Sequence, residues 1–483
     1  MINLFFTYLI FSVNIYPQNI FFDRYTIIPP LGKIKTIATS PLYVFTVSDD
    51  YLLFFNKQNL ALDRTIHFDQ AINLIGYDQQ YDDLWLLSTN DIIRLTNASY
   101  SIREYPFSEN VDRIGIGIDF IYLDGERNYS LDKKTGAIKI VNSFPDNLRW
   151  FKKNSQSDIR NYPFLTPYYY SDNLDESQTP FRQFAISALY DDGMDLYVGT
   201  DGYGLLRYNK VSWRKQHVIY GPLDANIRKV KRFNNQIYLL SSSGISYYPP
   251  GKDTWEYLRL AHETADLIWM DNRLFVSFDN QLAVTSGAMT FTLSNFKKSI
   301  ISLSSDEKYI YIGTNAGLFK LLKDTSEPIQ LGPNQYAIYA IYPRENELYV
   351  GGEIGFYMYD KEEDRWSMLI NRGVKDIVEV KNELCLLSVD NQLIRYRALD
   401  ATMASDTDLI FLPYFNIYDI DADSEVVYCA TYAGVYYYEP GTDFFKLIFN
   451  LPRIKYDYIY IVDDNILAVS TKNIYRLPIA YRN

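Results

Sequence analysis

The feature that most constrains this chain is a short strand motif, centred on an aromatic residue, that returns about every forty residues. It is clearest at 196–209, LYVGTDGYGLLRYN, where a strand, a glycine-bearing turn and a second strand follow one another. With Tyr197 as reference, the equivalent positions are Tyr43, Trp85, Tyr122, Tyr197, Tyr238, Phe275, Tyr311, Tyr349, Cys385, Tyr428 and Leu467. Their spacings are 42, 37, 75, 41, 37, 36, 38, 36, 43 and 39, so eleven units are joined by ten intervals, nine of them near forty. A unit of that length cannot bury its apolar face alone and needs neighbours of its own kind. Four short antiparallel strands per unit, stacked as the blades of a β-propeller, meet that need.

Each unit has the same internal order. An apolar strand comes first, as at 300–303 or 338–341, then a polar turn and the aromatic-centred strand. The next turn often carries glycine (Gly204, Gly244, Gly317, Gly355, Gly434), which reaches left-handed backbone angles without a Cβ clash. A third strand ends in aromatics, and a fourth opens near Trp213, Trp255, Trp366 or Phe444. Pro249-Pro250-Gly251 and Pro440-Gly441 mark the turn between them. No long helical period interrupts the series, which excludes alternating α/β. Aromatics make up 16% of the chain, with 45 Tyr and 28 Phe, and these residues favour half-buried strands.

The expected fold class is therefore all-β: β-propeller repeats, about eleven four-stranded blades. Eleven exceeds the usual four to eight of one ring, so two rings are expected, with a single large ring as the alternative. The last unit has three strands (458–462, 466–470, 474–477), while a spare strand, 21–28, precedes the first unit. Pairing that strand onto the last blade removes an open edge. On this reading the first and last units share a ring and an internal block forms the other. The organisation expected is a signal segment at 1–18, three blades over 19–132, an aromatic insertion at 133–183 and the remaining blades over 184–483.

Segments 196–209 and 310–321 (IYIGTNAGLFKL), with near matches at 348–360 and 427–439, resemble the blade motif of two-component-regulator-type propellers. That motif runs apolar-aromatic-apolar-Gly-Thr, a glycine turn, Gly-Leu and a Tyr-Asn/Asp ending. The resemblance covers most of the chain as a repeat and is strong in those four units; the others keep the hydrophobic pattern and lose the glycines. It implies an extracytoplasmic module for ligand sensing or scaffolding. No kinase segment occurs within these 483 residues, so it implies no signalling output.

Charge and local motifs narrow the function classes. The net charge of −12 argues against nucleic acid or an anionic membrane as the main partner. Residues 4–13, LFFTYLIFSV, are too few to span a bilayer, which takes about 20. They fit the apolar part of a secretory signal, although no Lys or Arg precedes them and no Ala-x-Ala site follows; the alternative is a buried first strand. Export is expected, to the medium or the periplasm and cell envelope, with no transmembrane span. Two cysteines, Cys385 and Cys429, exclude a disulfide scaffold and a Cys-rich zinc site. The repeat register puts them on opposite strand faces, so no bridge between them is expected.

No residue pattern announces catalysis. His67, His217 and His262 fall in separate units, and His262-Glu263 lacks the second His of a zinc-protease helix. They read as strand or surface histidines. The alternation Asp419-Ile-Asp421-Ala-Asp423-Ser-Glu425 lacks the central Gly and distal Glu of a calcium loop and reads as a solvated turn. Asp191, Asp192 and Asp195 are turn residues; Gly115-Ile-Gly117 opens no helix, and no Gly-x-Ser-x-Gly elbow occurs. No catalytic residue, metal or cofactor is expected. The candidate contact is the insertion, where Tyr162, Phe164, Tyr168, Tyr169 and Tyr170 cluster ahead of the acidic stretch 172–176. Such rings combine stacking with hydroxyl hydrogen bonds and suit a protein, peptide or carbohydrate ligand. The competing reading is a plug between rings. Two further function classes stay open: a polysaccharide-active propeller hydrolase or lyase, marked by charged side chains converging at a channel mouth, and a structural component of an envelope secretion apparatus.

Overall fold

The computed structural model describes residues 25–482 apart from 97–99, 154–157, 159–161, 163–184, 234–235, 249–253, 259–262, 287–288, 324, 399–404, 411–415, 443 and 463. The described strands form eleven antiparallel sheets, numbered here by position along the chain. Sheets 1 to 4 span 34–67, 72–106, 111–152 and 186–218; sheets 5 to 11 span 227–258, 264–295, 300–334, 338–370, 374–410, 417–447 and 458–478. Ten have four strands and the third has five.

The recurring aromatic sits on the second strand of its sheet, where neighbouring sheets cover both faces. Trp85, Tyr197, Tyr311 and Tyr428 are each no more than 2% exposed, which identifies the repeat residue as packing. Several tyrosines also anchor the turn before them. Tyr311 donates to Asp306 Oδ2 at 2.6 Å, Tyr428 to Asp423 Oδ2 at 2.7 Å and Tyr349 to Glu347 Oε2 at 2.7 Å. One side chain thus fills the space between sheets and ties down a turn.

Thr26–Ile28 pairs with Ile474–Pro478, in the register Thr26↔Arg476, Ile27↔Tyr475 and Ile28↔Ile474. The N-terminal strand is therefore the missing outer strand of sheet 11, as expected, with 21–24 outside the described residues.

The contacts between first strands differ from the expectation that the first and last units share a ring. The first strand of sheet 11, Tyr458–Val462, packs between those of sheets 10 and 5. Sheets 5, 6, 7, 8, 9, 10 and 11 follow one another in a closed succession. Sheet 11 touches sheet 1 through outer strands, Thr26–Ile28 against Leu62–His67. Sheet 1 instead packs its first strand between those of sheets 4 and 2, and sheet 2 packs on sheet 3. The reason is that one added strand can close a sheet without bringing its neighbour along. The chain passes between the two sets twice, side by side: Leu31 N–H donates to Pro222 O at 2.6 Å, and Tyr220 and Ser48 share a hydrogen bond of 2.7 Å.

The segment 133–183 also divides differently. Lys133 is buried, its ammonium 2.5 Å from Asp78 Oδ2 and 2.5 Å from Gly117 O. Ile138–Ile140 is sheet 3's own outer strand. Arg149–Lys152 then pairs beside the first strand Val111–Ile116, on the inner edge of the sheet. Gly115 makes room for it, since a Cβ there would stand 3.0 Å from the Trp150 ring. From that edge Phe151 stacks on Tyr190 of sheet 4 at 6.0 Å, and Arg149 bonds the Tyr190 hydroxyl.

Cys385 and Cys429 are free thiols in one buried cluster between sheets 9 and 10. The expected absence of a bridge stands among the described residues, but the reason given for it does not hold. Sheets stack front to back, so opposite faces of successive sheets look at each other.

Candidate functional site

The first strand of each sheet is an edge. In sheets 5 to 11 these edges surround a channel of about 530 Å³. An edge strand alternates its side chains, one set into the packed space between sheets and one into the channel. Ladder register identifies the equivalent channel position on every sheet. Lys229 pairs with Leu240, Asp266 with Ser277, Ser302 with Gly313, Ala340 with Gly351, Asp376 with Leu387, Asp419 with Ala430 and Tyr458 with Val469. All seven line the channel. The residues that follow them in each strand, such as Val230, Leu267, Leu303 and Ile420, are apolar and buried.

Edge strands carry unpaired backbone groups, and side chains of the preceding sheet satisfy several of them. Asp266 Oδ2 accepts from Leu303 N–H at 2.8 Å. Asp419 Oδ2 accepts from Ile459 N–H at 2.9 Å, and Asp421 Oδ2 from Ile461 N–H at 2.6 Å. Ser302 Oγ donates to Ile338 O at 3.0 Å. The polar girdle therefore laces successive sheets together as well as lining the opening.

Electrostatically the girdle has two unlike sides. On one, Asp266 is fully buried between Lys229 at 2.6 Å and Lys231 at 3.4 Å. Burial pushes its carboxyl up, but the two lysines and the hydrogen bonds outweigh that and hold it below the ordinary range. Burial lowers Lys231, with Asp266 acting against it. On the other side stand Asp376, Asp419 and Asp421 with Lys375. Burial raises all three carboxyls, Asp419 well above the ordinary range with Asp376 adding to it, and Asp421 to about 7. Burial lowers Lys375, whose ammonium bonds Asn391 Oδ1 at 2.6 Å. At the rim, Arg228 pairs with Glu263, and Tyr339 and Tyr418 complete the wall.

The residues singled out from sequence fall elsewhere. Tyr162 is half-buried against the core of sheet 4, its hydroxyl 2.9 Å from Asp191 Oδ2, and burial followed by that bond raises it to about 12. It is a packing residue in this position. Phe164, Tyr168, Tyr169, Tyr170 and the 172–176 stretch lie outside the described residues, as do residues 1–24 and His262. His217 lies against Tyr203 at 4.1 Å with Nε2 2.6 Å from Tyr203 O, and burial lowers it to about 4; His67 is 3.1 Å from Asp50. Both are satisfied structural histidines. The 419–425 segment is a correction: only Asp423 and Glu425 belong to the turn, while Asp419 and Asp421 lie on the first strand Ile417–Ala422 and face the channel. The signal for the channel was present but scattered. Polar residues two apart on a first strand (Lys229/Lys231, Ser302/Ser304, Asp419/Asp421, Tyr458/Tyr460) mark a face that is not core.

Four-stranded sheets packed face to face, with their first strands around a common channel, define a β-propeller repeat protein. No protein-family model matches the chain, and no curated protein matches it in sequence. Among solved structures it is similar to the extracellular domain assigned to the one component system BT4673 of B. thetaiotaomicron. That match has 12% identity and a TM-score of 0.45, and covers 92% of this chain and 75% of the other. It is also similar to PorZ, a surface component of the type-IX secretion system of Porphyromonas gingivalis, at 13% identity and a TM-score of 0.34, covering 92% and 79%. The WD40 propeller domain of Doa1 matches at 13% identity and a TM-score of 0.42, covering 52% and 91%. Among the described residues no helix is long and apolar enough to cross a membrane.

Proposed function

We propose that this protein is an exported binding module, built as a four-bladed ring (sheets 1 to 4) and a seven-bladed ring (sheets 5 to 11), that takes a small polar ligand at the channel of the larger ring. The carrying observation is that channel of about 530 Å³, walled by charges of both signs and by tyrosines. Cavities of this size with a few convergent polar groups suit small molecules. The 4–13 segment supports export and is tested by N-terminal sequencing of the secreted chain.

Binding is tested by titrating the full chain with monosaccharides, short peptides and small amines, read by calorimetry. A ligand bound one to one, and weakened at least tenfold by Tyr339→Ala/Tyr418→Ala at the rim, is the expected result. Ligands indifferent to those substitutions place the site elsewhere. The aromatic segment is kept as a second contact surface. Replacing Tyr168, Tyr169 and Tyr170 by Ala should then weaken binding of a larger partner while the far-UV spectrum is unchanged.

A second reading rests on Asp376, Asp419 and Asp421 gathering on one channel wall, where burial raises all three. A carboxylic acid that keeps its proton near neutral pH is what a glycoside hydrolase asks of its general acid. Release of nitrophenol from aryl glycosides, abolished by Asp421→Asn, would establish it.

A further inference from the structure

Asp266, Asp376 and Asp419 occupy the same girdle position on sheets 6, 9 and 10, but their surroundings differ. Asp266 has two lysines within 3.4 Å. Asp376 and Asp419, on adjacent sheets, have no ion-pair partner within 4.0 Å among the described residues, and neither has Asp421. Lys229, Lys231 and Lys375 all lower Asp376 from a distance, but the first two are paired with Asp266 and the third is bonded to Asn391.

The commitments of the two carboxyls also differ. Asp419 holds the N–H of Ile459 on the next sheet. Asp376 accepts only the N–H of its own neighbour Ile377, at 2.8 Å, and does not reach the next sheet. Its second oxygen, and the Oδ1 of Asp419, have no donor among the described residues. Ionising both carboxyls of such a pair is costly without a cation between them, which is why burial raises both, whereas the same position on sheet 6 is neutralised by lysines. The wall beside Asp419 is aromatic: Tyr458 and Tyr460 lie 6.4 Å apart with planes at 23°. Carboxylate oxygens beside tyrosine faces suit an organic cation. A divalent metal wants a closed shell of oxygens, and no group of three or more metal-ligating side chains occurs among the described residues.

We infer that the ligand of this channel carries a primary ammonium group, seated between Asp376 and Asp419 and flanked by Tyr458. The inference rests on the channel reading above and names its ligand class. The ammonium donates to the two free carboxylate oxygens, and the ligand's remaining polar groups face Lys231 and Ser302 across the opening.

The test pairs ammonium probes with isosteres lacking the charge: ethanolamine with ethylene glycol, glucosamine with N-acetylglucosamine, glycinamide with glycolamide. Each is titrated into the full chain at pH 7, with calcium chloride as the metal probe. The expected result is that at least one ammonium probe binds with a Kd below about 10 mM, at least tenfold tighter than its partner. Asp376→Asn/Asp419→Asn should weaken it at least tenfold while the spectrum and melting temperature of the free protein hold. Asp376→Asn alone serves if the double variant does not fold, because Asp376 caps no neighbouring sheet. The inference is overturned if no ammonium probe binds, if the neutral isosteres bind equally well, if the Asn variants keep full affinity, or if calcium is the species that binds. The two readings fail differently. Neutral or anionic ligands lost in the Tyr339/Tyr418 variant but kept in the Asn variants sink the ammonium alone. Binding indifferent to both pairs sinks the channel.

Discussion

Replacing Asp421 by Asn should make this protein more stable above about pH 4, with the advantage complete once the pH has passed about 7. Asp421 Oδ2 accepts from Ile461 N–H at 2.6 Å and Oδ1 from Ala422 N–H at 2.8 Å, contacts that an amide oxygen partly keeps. Burial lifts the carboxyl to about 7. The folded value lies above the unfolded one of about 3.9, so the protonated group's contribution is complete below about pH 4 and is lost as pH rises through about 7. Three pH units at about 1.36 kcal/mol each give about 4 kcal/mol lost by pH 8.5; channel water reaches the half-buried group, so about 2 kcal/mol is the working figure. Asparagine cannot ionise and escapes that loss. Urea unfolding followed by far-UV circular dichroism, at about pH 5.5 and about pH 8.5, measures it. The advantage of Asp421→Asn over wild type should grow by about 1 kcal/mol between the two. A difference that stays constant with pH would falsify the claim that this carboxyl sits uncompensated in the channel.

Three further outcomes follow from the same structure. Asp266→Ala should cost about 3–5 kcal/mol, because it strands two lysines and the Leu303 N–H, and the penalty should shrink in acid as pH falls through the lowered folded value and the wild-type carboxyl protonates. Chemical denaturation of the purified variant checks it; a cost under about 1 kcal/mol would contradict the ion triad. Deleting residues 1–30 removes Ile27 and Ile28 from the cores beside sheet 11 and three ladder pairs, a loss of about 3–5 kcal/mol. It should appear as a melting transition lowered by roughly 6–20 °C. Burial raises both thiols, Cys385 to about 12, so neither should react with a disulfide reagent until the protein unfolds; prompt labelling of the native chain would show the cluster between sheets 9 and 10 to be open.

How much was legible depended on how far apart the cooperating residues lie. The blades were legible because Trp85, Tyr197, Tyr311 and Tyr428 mark the same buried position at a fixed period. Closure by the N-terminal strand was legible because sheet 11 was visibly one strand short. The pairing of sheet 11 with sheet 5 was not, since no local rule says where a stacked series turns back on itself. The channel was missed for a related reason. Lys229, Asp266, Asp376 and Asp419 come from four units, and each alone is one polar residue on an apolar strand. Only the ladder register shows that they share a level. Arg149–Lys152 was unreadable because it adds to an inner edge, a place the repeat leaves empty; Gly115 was its one trace.

The strand that completes sheet 11, Thr26–Ile28, is made long before its partner, Ile474–Pro478. About 450 residues separate them, which at about 5–20 residues per second is a wait of roughly 20–90 s. Sheets 1 to 4 can assemble during that time, whereas the seven-sheet set has no partner for Thr26–Ile28 until Ile474–Pro478 emerges. Before they meet, each strand presents an unsatisfied edge, and their pairing covers both. Joining strands so far apart makes that set of sheets a check on its own assembly: a chaperone or protease that reads exposed strand edges can distinguish a molecule in which this pair has formed from one in which it has not.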